Sequence, residues 1–307
     1  MIGTLDDVAR VARAKGPKKL AVLAPEDGEF MLAIKKSRDA RYIDPVLIGD
    51  PEKIKRVADE ADFDIGGIEL ISETDRQAVA NLGTAMLFAG EVDMAGKGQI
   101  PTAYIYRAII REEVKAGTGR TISVVSLWEI PGRGRFTSFT DTGVNIRPDL
   151  KAKIEIVKNA VILFHVLGYP RPRISVLSGK RGIGGVPASF ADAAALRKMA
   201  EAGDLGDCEI IAATSFAEIF SESTGAPYNG EPADLSRLPE ILLVPNLDTG
   251  NILCKLDFFL PVDRRSLVLA SGGPFIIPSR SDFSDSILGE IAMGVVVADR
   301  MEKGRKT

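Results

Sequence analysis

Apolar positions along this chain follow two periods that trade places. Leu5, Val8, Ala9 and Ala12 share one side of a short helix predicted over residues 5–14. The apolar run in "KKLAVLAP" then reads as a buried strand ended by Pro25, and residues 29–38 read as a helix. "DPVLIGDPEKIKRVADEA" supplies a strand, a Gly-Asp-Pro turn and a helix. Asp50 suits the N-cap there, and Pro51 the first helical position. "IGGIELIS" is the next strand, and "DRQAVANLGTAMLFAGEVD" the next helix, with Val79, Leu82, Met86 and Leu87 on its apolar side. This alternation predicts a mostly parallel sheet covered by helices.

A hairpin interrupts the alternation: "TISVVSLWEIP" and "RFTSFTD" are strands around the tight turn 131–134. Pro148 and Asp149 then open a long helix reaching Leu167. "RPRISVLSG" is a strand, 190–202 a helix and "CEIIAA" a strand, while "PEILLVPNLDTGNIL" reads as strand, turn and helix. "RSLVLASGGPFIIPS" gives one or two strands. A final helix over 286–300 carries Ile287, Ile291, Val295 and Ala298 at helical spacing. The stretch "TGAPYNGEPADLS" is rich in turn formers and reads as surface.

The length, 307 residues, allows one large domain or two of ordinary size. Hydrophobic residues make up 45% and charged residues 26%, the balance of a soluble globular protein. Lys and Arg number 39 against 42 Asp and Glu, so no nucleic-acid footprint is expected, although a local basic pocket for phosphate groups fits the same balance. Cys208 and Cys254 have neither metal spacing nor the look of a disulfide framework, which favours a reducing compartment. The N-terminal segment lacks the apolar core of a signal peptide, and no run approaches the roughly 18 apolar residues of a membrane span, so the cytoplasm is expected. His165 is the single histidine. It reads as a packed or interface residue, and metal binding by clustered histidines is excluded. Trp128 reads as packing.

Four stretches carry candidate chemistry. In "SGGPFIIPSRSDFSDS" an apolar strand runs straight into Ser279 and Arg280. Open α/β sheets bind ligands beyond the carboxyl ends of their strands. Arg280 offers a planar fork of donors suited to phosphate, Ser279 a short hydroxyl, and Asp282 and Asp285 either order for the loop or a proton acceptor. The alternative is a capped helix start with a solvated charge cluster. Arg120 follows Gly117 and Gly119, a loop able to bring backbone donors to an anion or simply to turn the chain. It is neither a Walker loop nor a dinucleotide fingerprint. Lys97 stands between glycines, and Thr102 near a helix start whose free amides favour anions; an exposed turn lysine is the other reading. In "GKRGIGGVPASF", Lys180 and Arg181 either meet the phosphates of a nucleotide tail or belong to a surface loop.

Taken together, "KGQIPTAYIYRAII", "GTGRTISVVSLWEIPG", "FTDTGVNIRPDLKAKIEIVKNAVILFHVLG", "VPASFADAAALRKM", "ILLVPNLDTGNILCK" and "IIPSRSD" resemble, in order, the phosphate acetyltransferase/phosphate butyryltransferase family, and the butyryl branch more closely. The resemblance covers residues from about 92 onward. It implies an α/β fold of two three-layer domains with mostly parallel sheets flanking a cleft, in the superfold of isocitrate and isopropylmalate dehydrogenases, usually as a homodimer. One domain would comprise 1–131 plus 267–307 and the other 132–266. It also implies acyl transfer between coenzyme A and inorganic phosphate, with CoA as substrate, no tightly bound cofactor and no metal. Ser279, Arg280, Arg120 and Asp285 would be catalytic. Lys97, Gly98, Thr102, Asp141, Asn145 and Asp282 would line the substrate site, and Lys180 and Arg181 would meet the CoA tail. This chain departs from the acetyl type in having Ser286 where that type has an aspartate, from the butyryl type in having Gly272 for a lysine, and from the family at "CEIIAATSFAEIF". Those departures also fit a catalytically impaired relative that binds CoA or an acyl phosphate in a regulatory role. An oxidoreductase of the wider superfold is a third possibility, resting on fold likeness alone.

Overall fold

The structure, a computed structural model, describes residues 1–179, 185–221, 233–280 and 282–305. It divides into two compact units. A terminal unit takes Leu5–Ile122 and Arg265–Thr307; a central unit takes Ser123–Arg264 with Met1–Thr4.

In the terminal unit, strands β1 (Lys18–Leu23), β2 (Ile43–Gly49), β3 (Glu69–Ser72) and β4 (Met94–Lys97) alternate with helices α1 (Leu5–Lys15), α2 (Gly28–Asp39), α3 (Pro51–Glu60), α4 (Arg76–Ala89) and α5 (Thr102–Lys115). The chain returns at its end with β10 (Asp263–Ala270), β11 (Gly273–Ile276) and α10 (Ser284–Arg305). The strand order is β3-β2-β1-β4-β11-β10. All neighbours run parallel except β10, which pairs antiparallel with β11. "RSLVLASGGPFIIPS" therefore forms two strands joined by a turn.

Local chemistry explains these boundaries. Asp50 accepts from the amides of Glu52 and Lys53 with Pro51 in the first turn, as the sequence predicts. Asp27 and Asp75 cap α2 and α4 in the same way. Helices cover both faces of the sheet, because successive side chains on a strand point opposite ways. A Cβ on Gly83 of α4 would strike Leu23, whereas one on Gly96, in register with Val22, would meet Phe30 of α2. The near-continuous apolar strands this requires are present: Leu20, Ala21, Val22 and Leu23 are all fully buried.

The central unit holds β5 (Ser123–Glu129), β6 (Phe136–Thr140), α6 (Leu150–Val166), β7 (Arg173–Val176), α7 (Ala188–Glu201), β8 (Glu209–Ile210), α8 (Phe216–Ser221), β9 (Ile241–Leu243) and α9 (Leu247–Cys254). Its strands lie in the order β5-β6-β9-β7-β8. The predicted hairpin is there, with β5 antiparallel to β6, and the remaining pairs are parallel. Trp128 packs edge-on against Phe139 at 5.1 Å in the core of this unit. His165 hydrogen-bonds through Nε2 to the Asp207 carbonyl at 2.8 Å.

The hairpin turn also buries a charge that its turn sequence does not announce. The Arg133 side chain is only 1% exposed and lies 3.5 Å from Glu240. Its guanidinium donates to the carbonyls of Leu235, Arg135, Phe136 and Leu238. Glu240 in turn meets Arg135 at 3.0 Å and accepts from the Arg173 amide at 2.9 Å. Removing one partner leaves the other charged and desolvated. Arg133→Met should therefore destabilise the central unit by about 3–5 kcal/mol, read as a lower urea midpoint in the fluorescence of the single tryptophan, Trp128.

Candidate active site

The terminal unit follows the doubly wound pattern. From β1 the chain builds outward through β2 and β3, then crosses back to lay β4 on the other side of β1. Order reverses between β1 and β4, and ligands bind at such a switch point, beyond the carboxyl ends of the strands. Leu23 pairs with Lys97, and Ile276 with Gly96, so β1, β4 and β11 all end at one edge.

A cavity of about 320 Å³ occupies that edge. Asp27, Glu29 and Phe30 reach it from the turn after β1 and the start of α2. Residues 97–101 reach it from the turn after β4. Pro278, Ser279, Arg280 and Asp282 come from the turn after β11, and Ile287 from α10. Five of the residues singled out in the sequence thus meet in one place: Lys97, Gly98, Ser279, Arg280 and Asp282.

The loops are held in fixed relation. Gly98 and Gln99 donate their amides to Leu23 and Ala24, each at 2.8 Å. The approach is so close that a Cβ on Gly98 would lie 2.2 Å from the Ala24 carbonyl oxygen, so only glycine fits without moving backbone. Gln99 Nε2 donates to Asp27 Oδ2 at 2.9 Å, tying the β4 turn to the β1 turn. Across the cavity, the Ser279 amide donates to Asp282 Oδ2 at 2.7 Å, folding the β11 turn on itself. Glu29 Oε2 accepts from the Ser284 amide at 2.6 Å and so fixes the start of α10.

Two cations, Lys97 and Arg280, and three carboxylates, Asp27, Glu29 and Asp282, line the cavity. Lys97 is 8% exposed, with its ammonium 3.5 Å from the Gly98 carbonyl. Burial, and then the neighbouring Arg280 charge, push it below the ordinary lysine range, while Asp27 and Glu290 act the other way. Thr102 begins α5, and Pro101 before it lines the cavity and caps the helix without a side-chain hydrogen bond. The Tyr104 amide donates to the Pro101 carbonyl at 2.9 Å, and the Thr102 and Ala103 amides before it have no carbonyl within the helix to bond, the arrangement that favours anions at a helix start. A buried lysine, an exposed arginine, a half-buried serine and the residue before a helix start thus border one cavity.

Other predicted residues lie elsewhere. Asp285 does not line the cavity: its side chain is 82% exposed and ion-paired with Lys36 at 2.7 Å. Asp282 is the acid that the β11 turn places there. Arg120 belongs to the same unit, seven positions before the sequence reaches Leu127 of β5, but is not among the lining residues; its amide donates to the Thr118 hydroxyl at 3.3 Å. Asp141 and Asn145 belong to the central unit. Asp141 is 2% exposed and accepts from the amides of Val124, Gly143, Val144 and Asn145 and from the Asn145 side chain. It organises the turn after β6. Lys180 and Arg181 lie outside the described residues. Asp27, Glu29 and Gln99 were not singled out by sequence; the signal for Asp27 was its place just after the first strand of an alternating fold.

Fold and cavity together define a doubly wound α/β protein with a pocket at its switch point that brings Lys97, Ser279 and Arg280 together. The family model described as phosphate acetyl/butaryl transferase matches residues 73–260, more than half of the chain. The phosphate butyryltransferase of Clostridium acetobutylicum is 27% identical over 97% of this chain and 99% of its own. The phosphate acetyltransferase of Rhizobium meliloti is 30% identical over 96% of this chain and 93% of its own. A branched-chain phosphotransacylase from Enterococcus faecalis V583 shares the fold, with a TM-score of 0.72 at 23% identity over 91% of this chain and 100% of that one. This chain belongs to the phosphate acetyl/butyryl transferase family and is an enzyme of that family. No helix among the described residues is long and apolar enough to cross a membrane.

The Gly98 contact gives the site a direct test. Gly98→Ala must force the β1 and β4 turns apart, and overpacking of this kind costs about 1–3 kcal/mol. The variant should unfold at lower urea by circular dichroism and bind inorganic phosphate more weakly by calorimetry.

Proposed function

We propose that this protein moves a short or medium acyl group between coenzyme A and inorganic phosphate, with a butyryl-like preference. The observation that carries this reading is the convergence of Lys97, Ser279 and Arg280 on one cavity at the carboxyl edge. Membership of the family supports the reaction type.

The chemistry asks little of the protein beyond charge and position. A phosphate oxygen attacks the thioester carbonyl carbon, negative charge gathers on the carbonyl oxygen, and the thiolate departs. Lys97, Arg280 and the first amides of α5 hold the phosphate. Ser279 offers its hydroxyl to the reacting centre. Donors fixed before the reaction stabilise growing charge more than they stabilise substrate. Holding both substrates together supplies much of the remaining acceleration. Asp282 orders the loop that carries Ser279 and Arg280. Arg120 retains a phosphate-contacting role in this reading through the family resemblance, as Lys180 and Arg181 retain theirs toward the CoA tail. The reading further includes two domains, a homodimer and a cytoplasmic setting.

A second reading, a relative that binds CoA or acyl phosphate without turnover, draws on the absence of Arg120 from the cavity lining. One assay separates the two. Acetyl-, propionyl-, butyryl- and hexanoyl-CoA are each supplied with phosphate, and thiol release is followed. Turnover should be fastest with butyryl-CoA, and Arg280→Ala should lower kcat/KM by about 10²-fold or more. Thiol release from none of the four, with CoA still binding by calorimetry, would favour the second reading.

A further inference from the structure

Acyl transfer between a thiol and phosphate moves a proton as well as an acyl group. The proton must be handled by a group that lines the cavity. Five titratable side chains do so: Asp27, Glu29, Lys97, Arg280 and Asp282. Arginine does not give up its proton in proteins.

The three carboxylates are engaged in holding the site together. Asp27 accepts from the Phe30 amide through Oδ1 and from Gln99 Nε2 through Oδ2, both at 2.9 Å. Glu29 accepts from the Ser284 amide, and Asp282 from the Ser279 amide. Protonating any of them weakens a bond that positions a neighbouring loop or helix start. Asp285 points to Lys36, outside the cavity, and His165 belongs to the central unit.

Lys97 is the remaining group. Among the described residues it is the cavity's only lysine, 8% exposed, and its ammonium is bound only through the long 3.5 Å contact to Gly98. We propose that Lys97 exchanges the thiol proton of coenzyme A during acyl transfer, as well as contacting the anion. The proposal rests on the acyltransferase reading above.

The step balances in both directions. Toward acyl phosphate, a C–O bond forms between phosphate and the carbonyl carbon, the C–S bond breaks, and its electron pair leaves on sulfur. The Lys97 ammonium gives a proton to that thiolate. The neutral amine regains one from the acyl phosphate, whose phosphoryl group is more acidic than free phosphate, or from water. In reverse, the amine takes the thiol proton as sulfur attacks the acyl carbon, the C–O bond to phosphate breaks, and the ammonium passes that proton to the departing phosphate. Burial and Arg280 favour the neutral amine, Asp27 and the buried Glu290 of α10 favour the ammonium, and Glu29 and Asp282 complete the charged lining. A lysine whose ammonium is made easier to deprotonate is better suited to proton transfer than one in open water.

Substitution separates proton transfer from charge alone. Lys97→Ala should lower kcat by about 10²–10⁴-fold, and added primary amines should restore part of the rate, more so as amine basicity rises. Lys97→Arg keeps a cation that cannot titrate. It should still bind phosphate by calorimetry yet turn over as slowly as Lys97→Ala, and it should lose the limb of the kcat/KM pH profile assigned to Lys97. Activity of Lys97→Arg within about threefold of wild type would overturn the proposal. If Lys97→Arg does not bind phosphate, Lys97→Ala decides: no rescue by any primary amine overturns it. A wild type inert toward every acyl-CoA would instead remove the acyltransferase reading beneath it.

Discussion

The packing of β4 against β1 governs what this molecule can do. Parallel pairing ends both strands at one edge, and the β4 turn then lies so close to the β1 turn that position 98 has no room for a side chain. The two amides given to Leu23 and Ala24 lock that approach. Lys97, at the end of β4, is 8% exposed. The turn after β11, brought alongside by the Gly96–Ile276 register, supplies Ser279 and Arg280 to the same space. Charges some 180 residues apart in sequence meet because three strands stop together.

This convergence is unfavourable on its own terms. A lysine and an arginine share a small cavity, one of them largely removed from water. Like charges in a medium of low polarity repel, and a buried ammonium forgoes hydration. Asp27 at the wall and Glu290 on α10 act against this repulsion, and Glu29 and Asp282 share the lining. A site whose donors are already oriented spends no further free energy reorganising as charge develops on a substrate. The carboxylates that could have neutralised the cations are directed instead at backbone amides, where they fix geometry.

Much of the architecture was readable because it depends on short-range rules. Alternating apolar strands and amphipathic helices announced the parallel sheet, and Asp50-Pro51 and Asp149 marked helix starts that the structure confirms by their hydrogen bonds. The hairpin at 131–134 was equally plain. Ser279 and Arg280 were legible as candidates because they follow an apolar strand, Lys97 because it stands between glycines, and Gly98 through the family resemblance. Whether a residue faces the cavity was not legible, since that depends on helix phase and loop closure. Asp282 and Asp285 stand three residues apart in sequence, yet one folds back onto Ser279 and the other reaches out to Lys36. Asp141 looked like a ligand contact and is an acceptor for its own turn, a role set by which amides the loop turns inward. Gln99 gave no signal, because its partner Asp27 is 72 positions away.

Locating the anion tests this account most directly. A crystal structure at saturating inorganic phosphate should show one phosphate between Lys97 Nζ, the Ser279 hydroxyl and the Arg280 guanidinium, with the first amides of α5 facing it. Phosphate bound at another surface, with the space between these three side chains holding only water, would contradict the claim that the shared edge of β1, β4 and β11 forms the substrate site.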